Sequence, residues 1–217
     1  MKLSRYFSAA AAVMMMFTMT ACNDNKGGST EEKKNYSSAA TEAAVTEATE
    51  PVVAAKDGPR LFINDVKAKA GEVAEVTISI ENAEEKWNMC GFHITYPDIL
   101  KPVVAMKEDN IVKNKLGPAS EFNNGSVAME WVNNKTEYLT SNKLGSIFFT
   151  EIFNANYGLD GDVVTFYFEI PEDAESGTEY PVDFMYIEGD VFSNMEQDKS
   201  MEKYVFENWK GGKIIVE

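Results

Sequence analysis

A chain of 217 residues, 44% of them hydrophobic, is long enough for one domain of about 150 residues plus extensions, with a core that needs neither disulfides nor metals. Its formal net charge is −15, of which the first 22 residues carry +2 and residues 23–58 carry −3, so that −14 falls on the remainder. That field disfavours nucleic acid and anionic lipid headgroups, and it suits a soluble domain or a basic partner.

Lys2 and Arg5 give the chain a positive start, and Phe7 to Met19 is apolar and rich in Ala and Met. This run is too short and wrongly flanked for a membrane-spanning helix. It leads into Met19-Thr20-Ala21-Cys22, which resembles a bacterial lipoprotein lipobox with Met where Leu is usual. The resemblance implies that Cys22 is lipidated and that the protein is exported and tethered to the outer face of the cell membrane. Two acyl chains on one cysteine make a stable anchor. A plain secretory signal cut near Ala21 is the alternative.

Residues 23–58 have almost no large apolar side chains and are rich in Ala, Thr, Glu, Ser, Lys and Gly. Such a stretch cannot bury enough surface to fold, and reads as a disordered linker. As a flexible coil it would hold the following domain roughly 30–36 Å from the lipid.

The folded part spans residues 59–217. A short strand from Leu61 and a turn at Ala70-Gly71-Glu72 precede an alternating strand in which Val76, Ile78 and Ile80 share one face. In the next strand Cys90, Phe92, Ile94 and Tyr96 alternate with Gly91, His93 and Thr95. Cys90 reads as a small buried hydrophobe. No disulfide with Cys22 is expected.

Ile99 to Met106 reads as a short strand made edge-like or bulged by Pro102. Lys107 to Asn124 is polar, and Gly117-Pro118 breaks any helix there. Ser126 to Val132 alternates, with Val127, Met129 and Trp131 assigned to the core and Ser126, Ala128, Glu130 and Val132 to the outside. Asn133 to Lys143 is a loop, and Ser146 to Phe153 is a strong strand candidate. Alternating strands separated by polar loops point to an antiparallel β-sandwich.

The order of these segments resembles the cohesin domain, the receptor module of cellulosome-type assemblies. The first block of likeness is the turn Ala70-Gly71-Glu72 with its alternating strand, followed by Cys90-x-Phe92-x-Ile94-x-Tyr96-Pro97-x-x-Leu100. The second is Asp160-Gly161 with Phe166, Ala174 and Gly177, then Tyr180-Pro181-Val182-Asp183-Phe184. The chain closes on Gly211-Gly212-Lys213-Ile214-Ile215-Val216, similar to the family's final strand. The resemblance implies an all-β, antiparallel β-sandwich of jelly-roll-like topology with about nine strands. Ser146–Phe153 and Asn194–Lys210 stand out as longer than a minimal cohesin needs, the second with room for a helical turn.

The resemblance further implies a monomeric binding domain rather than an enzyme, whose partner is a dockerin-bearing enzyme or scaffold protein for polysaccharide degradation. Calcium then belongs to the dockerin, and no cofactor to this chain. Family contacts fall on outward strand positions, which here correspond to Met89, Gly91, His93 and Thr95, to Ala128, Glu130 and Val132, and to Thr165 and Tyr167.

Other chemistry is weakly marked. His93 is the only histidine, and nothing in the sequence supplies the group that would orient it as a base. Paired carboxylates for glycoside hydrolysis need a set separation in a cleft, which sequence does not show. Asn154, Asn156, Asp160 and Asp162 place oxygens at alternate positions, but without the residue order of a calcium loop, so a polar turn is expected. Trp87, Trp131 and Trp209 are the candidates for a sugar-stacking platform. They supply the alternative reading, a carbohydrate-binding module, although the alternation around Trp131 favours the core.

Overall fold

The computed structural model describes residues 58–131, 137–196 and 199–217. The lipobox with Cys22, nearly all of the linker, and Val132 lie outside the described residues.

The strands in chain order are β1 (Arg60–Ile63), β2 (Val66–Ala68), β3 (Val73–Glu81), β4 (Met89–Pro97), β5 (Lys101–Pro102), β6 (Val104–Met106) and β7 (Ile111–Val112). They continue with β8 (Asn114–Leu116), β9 (Gly125–Glu130), β10 (Leu144–Ile152), β11 (Gly161–Glu169), β12 (Glu179–Met185), β13 (Val191–Ser193) and β14 (Gly212–Val216). Two helices interrupt them, α1 (Glu137–Ser141) and α2 (Lys199–Asn208).

The strands make two sheets packed as a sandwich with jelly-roll-like topology. The smaller runs β1-β3-β11-β5, with β8 also on β11; the larger runs β2-β14-β12-β4-β10-β9-β7-β6, with β13 also on β4. Pairing is antiparallel except for β14 with β2. About nine strands are expected from sequence, and fourteen occur among the described residues. The surplus comes from short pieces where the chain changes sheets.

Pro102 shows how that happens. Without an N–H it cannot continue a ladder on both sides. The stretch read as one strand therefore splits into β5, which pairs with β11 of the smaller sheet, and β6, which pairs with β7 of the larger. Val103 stitches the crossing, its N–H donating to Tyr167 and its carbonyl accepting from Lys113. At the other expected turn Gly71 takes φ +77°, a conformation open to glycine at no steric cost, and Glu72 N–H donates to the Lys69 carbonyl.

Between the sheets lie Ile78 and Ile80 of β3, Phe92, Ile94 and Tyr96 of β4, Phe149 of β10, and Phe166 and Phe168 of β11, all essentially inaccessible. Trp87 occupies one end of this core. Its ring meets Phe153 edge-on at 5.0 Å and Phe192 at 5.3 Å, and its indole N–H donates to the Leu159 carbonyl. Buried aromatics of this size dominate the hydrophobic stabilisation of a sandwich.

Two segments singled out in the sequence take defined places here. Ser146–Phe153, expected as a strand, falls almost wholly in β10, which lies between β4 and β9 in the middle of the larger sheet. Its consecutive apolar residues are what a strand covered on both faces requires. The helical turn allowed for in Asn194–Lys210 is a ten-residue helix, α2, whose Val205 enters the core while Trp209 beyond it stacks on Phe184 at 5.4 Å and 14°.

Candidate functional site

Because residues directly opposite in an antiparallel pair point to the same face, the ladders sort every side chain of the larger sheet. Phe92, Phe149 and Ala128 are in register and face the core; His93, Phe148 and Met129 are in register and face outward. The outward row continues through Ile111 of β7 and Met106 of β6 on one side and Met185 of β12 on the other.

On β4 the expected alternation holds, and Met89, Gly91, His93 and Thr95 are on the outer face. Apart from half-buried Met89, they are not the accessible contact row that the sequence suggests. His93 is only 2% exposed: Trp131 meets its ring edge-on at 4.5 Å, Phe148 lies at 4.8 Å, and Nδ1 is 2.7 Å from Asp190 Oδ1. Gly91 is covered by Val191, Thr150 and Phe148. Thr95 is buried beside Asp183, Ser146 donates to the Ile94 carbonyl, and Thr150 donates to the Cys90 carbonyl. The cause is one layer of larger side chains from β9, β10 and β13 lying over the small ones of β4.

On β9 the assignment of faces is reversed. Ala128 is a core residue, 1% exposed and opposite Phe149. Glu130 shares that inward side at the rim, next to Tyr96, whose phenol is pushed up by burial first and then by the Glu130 charge. Val127, Met129 and Trp131 form the outward set. A strand with apolar residues on both faces carries no parity signal, and only the β9–β10 register decides it.

Thr165 and Tyr167 are not on this face at all. They belong to β11 of the smaller sheet, where Thr165 hydrogen-bonds Thr77 at 2.8 Å and the Lys113 ammonium sits 4.6 Å from the Tyr167 ring centre. The structure therefore brings Met89, Gly91, His93 and Thr95 together, turns Ala128 and Glu130 inward, and places Thr165 and Tyr167 on the opposite side of the sandwich.

The side chains the outer face does offer are Met106, Val127 and Ile152, each about half exposed, with Ile111, Met129, Trp131 and Phe148 partly accessible between them. Strands β4, β6, β7, β9, β10, β12 and β13 contain no Lys or Arg. Asp183 and Glu179 are the outward carboxylates on β12; Glu179 pairs with Lys213 at 2.8 Å, and the pKa of Asp183 is raised by burial and held back by the Phe184 N–H. The result is an apolar surface without bases over these strands, on a domain of net charge −14, with Lys67 of β2 and Lys213 of β14 at the other end of the sheet. Contiguous exposed apolar surface on a folded domain is a candidate interaction site.

The other candidates resolve as structure. Asp160 caps the loop after β3, accepting from the Asn82 and Ala83 N–H groups, while the Asp160 N–H donates to the Glu84 carboxylate. Trp87 is wholly buried, and Trp209 is stacked on Phe184. Glu151 is a buried carboxylate on β10 that sequence reasoning did not single out. It accepts from Ser120 at 2.9 Å and Asn123 at 2.8 Å, and burial pushes it up to about 7 against these hydrogen bonds. Cys90, buried 3.8 Å away, is pushed up by the same burial.

Residues 59–187 match the Cohesin domain family. No curated protein matches. Among solved structures, the chain is similar to a type III cohesin module from the cellulosomal ScaE cell-surface anchoring scaffoldin of Ruminococcus flavefaciens, at 23% identity and a TM-score of 0.61, covering 75% of this chain and 89% of that module. It is also similar to a type I cohesin–dockerin complex from Clostridium thermocellum, at 17% identity and a TM-score of 0.50 over 74% of this chain and 99% of that one. A type I ScaB cohesin from Pseudobacteroides cellulosolvens gives 16% and 0.50, over 74% and 92%. At these identities the likeness is one of fold.

Proposed function

Since the chain belongs to the cohesin domain family, we propose that it is a receptor that binds dockerin modules of enzymes or scaffold proteins working on polysaccharides. The observation that carries this reading is the outer face of the larger sheet over β4, β6, β7, β9 and β10, apolar and free of Lys and Arg, while the sheet's two lysines, Lys67 and Lys213, lie on β2 and β14 at its other end. A similar structure is a cohesin in complex with a dockerin, which supports a dockerin as the class of partner here.

The mechanism is docking of helices on a flat sheet. Val127, Met129, Trp131, Phe148 and Ile152 supply the apolar centre, and a rigid ladder behind them keeps the cost of ordering low. The negative field of the domain draws a partner bearing Lys or Arg and orients its approach. Calcium would serve the dockerin's own fold, and this chain acts by binding.

The charged start, the apolar run and Met19-Thr20-Ala21-Cys22 support an exported receptor anchored through lipid on Cys22, with residues 23–58 as its stalk. Such an arrangement displays the domain at the cell surface.

The test is to immobilise the chain and present the secreted proteins of its source organism with calcium or with EDTA. Dockerin-bearing chains retained with calcium and released by EDTA would support the receptor reading. Retention by starch or cellulose, with no dockerin captured, would replace it with a carbohydrate-binding module.

A further inference from the structure

Phe122 and Tyr157 are 50% and 47% exposed, and their rings face each other at 5.4 Å and 52°. They come from two separate loops at one end of the larger sheet. Among the described residues nothing covers them, yet both loops are tightly held. Ser120 and Asn123 donate to the buried Glu151, and Asn124 N–H donates to the Ile152 carbonyl. Leu159 N–H donates to the Ala119 carbonyl, joining one loop to the other, and Gly158 N–H donates to the Trp87 carbonyl.

The pair lies at the edge of the docking face. Gly125, three residues after Phe122, is opposite Ile152, and Ile152 and Val127 are exposed on the outer face beside it. The surrounding chemistry is one-sided. Residues 117–124, 153–160 and 193–196 contain no Lys or Arg, and exposed Glu121 and Glu196 flank the rings. Glu196 is fixed there by the Asn156 side chain.

We propose that Phe122 and Tyr157 form a second anchor for the dockerin-bearing partner, receiving a Lys- or Arg-bearing segment that continues from the helices on the sheet. This rests on the receptor reading above. The physical reasons are rigidity, π-faces and charge. Aromatic side chains on ordered loops lose little entropy on binding. A cation over an aromatic face is attracted by the ring quadrupole, and more so once desolvated. The carboxylates of Glu121 and Glu196, in loop segments that themselves contain no Lys or Arg, complete a site for such a cation.

The test measures the affinity of the full chain for recombinant calcium-loaded dockerin modules of its source organism, for the wild type and for Phe122→Ala, Tyr157→Ala and the double variant. Both side chains are half exposed, so the variants should melt like the wild type. The double variant should bind about 10- to 100-fold more weakly. Hydrogen exchange on the complex should show residues 117–124 and 153–160 protected together with β9 and β10. If β9 and β10 are protected while these loops are not, or if the double variant binds within about twofold of wild type, the anchor is overturned and the receptor reading survives. If no dockerin binds, the receptor reading falls and takes the anchor with it. If soluble polysaccharide binds through Tyr157 instead, the rings serve a glycan and the proposal fails.

Discussion

His93 Nδ1 lies 2.7 Å from Asp190 Oδ1, with both side chains almost wholly buried. Asp190 Oδ2 accepts the Ile187 N–H at 3.0 Å, and one carboxyl group thus holds both the imidazole under the outer face and the turn before β13. Replacing Asp190 with Ala removes the partner of the buried His93 Nδ1 and of the part-buried Ile187 N–H. We expect a loss of about 2 to 3 kcal/mol in urea unfolding. A loss below about 0.5 kcal/mol would show that water takes over the carboxylate's bonds.

Glu151 sets a pH dependence of stability. Its carboxyl is pushed up from 4.5 to about 7 in the folded chain, so between those values the native state holds a proton that the unfolded state releases. The resulting stabilisation is complete below pH 4.5 and is lost as pH rises to about 7. The size is on the order of 3 kcal/mol. Glu151→Gln keeps the shape and removes the titration. Its urea midpoint should vary less than the wild type's across this range, and an unchanged slope would assign the pH dependence to other groups.

Gly158 has no room for a side chain. A Cβ built there would sit 2.1 Å from the Trp87 ring, and Trp87 is itself clamped between Phe153 and Phe192. Gly158→Ala should therefore cost about 1 to 3 kcal/mol or more through displacement of the indole. Near-ultraviolet circular dichroism should register the disturbed Trp87 packing, and a wild-type spectrum would count against this close approach.

The two sheets should differ in binding. Val127→Lys or Met129→Lys puts a base where β9 and β10 have none, and we expect each to weaken a calcium-loaded dockerin by about tenfold or more. Tyr167→Ala, on the opposite sheet, should change affinity less than about twofold. Equal losses from both sheets would mean that the outer face of β9 and β10 is not the docking surface.

Cys22→Ala tests the anchor. Cells fed a labelled fatty acid should label the wild-type chain and not the variant, and the variant should move to the soluble fraction. Label retained by the variant would exclude Cys22 as the lipid site.

Much of the architecture is legible in the sequence because it depends on local chemistry. Val76-Thr77-Ile78-Ser79-Ile80 alternates strictly, since one face of β3 is in the core while on the other Thr77 and Ser79 hydrogen-bond Thr165 and Asp162 of β11, and such a strand declares both its type and its orientation. Gly71 marks its turn through a backbone conformation that disfavours other residues. The ordered run from Ala70-Gly71 to the final Gly-Gly strand sufficed to suggest the family.

The outer face of the larger sheet depended on the tertiary structure. Val127 to Trp131 alternates equally well with either face inward, and only pairing of Ala128 with Phe149 turned Val127 and Met129 outward. His93 sits on the outer face by parity, but its burial depends on Trp131, Phe148 and Asp190, the last 97 positions away. Which sheet received β11, and hence Thr165 and Tyr167, was likewise decided by long-range ladders. Periodicity reports how a strand meets its surroundings, and cannot say which distant segments those surroundings are.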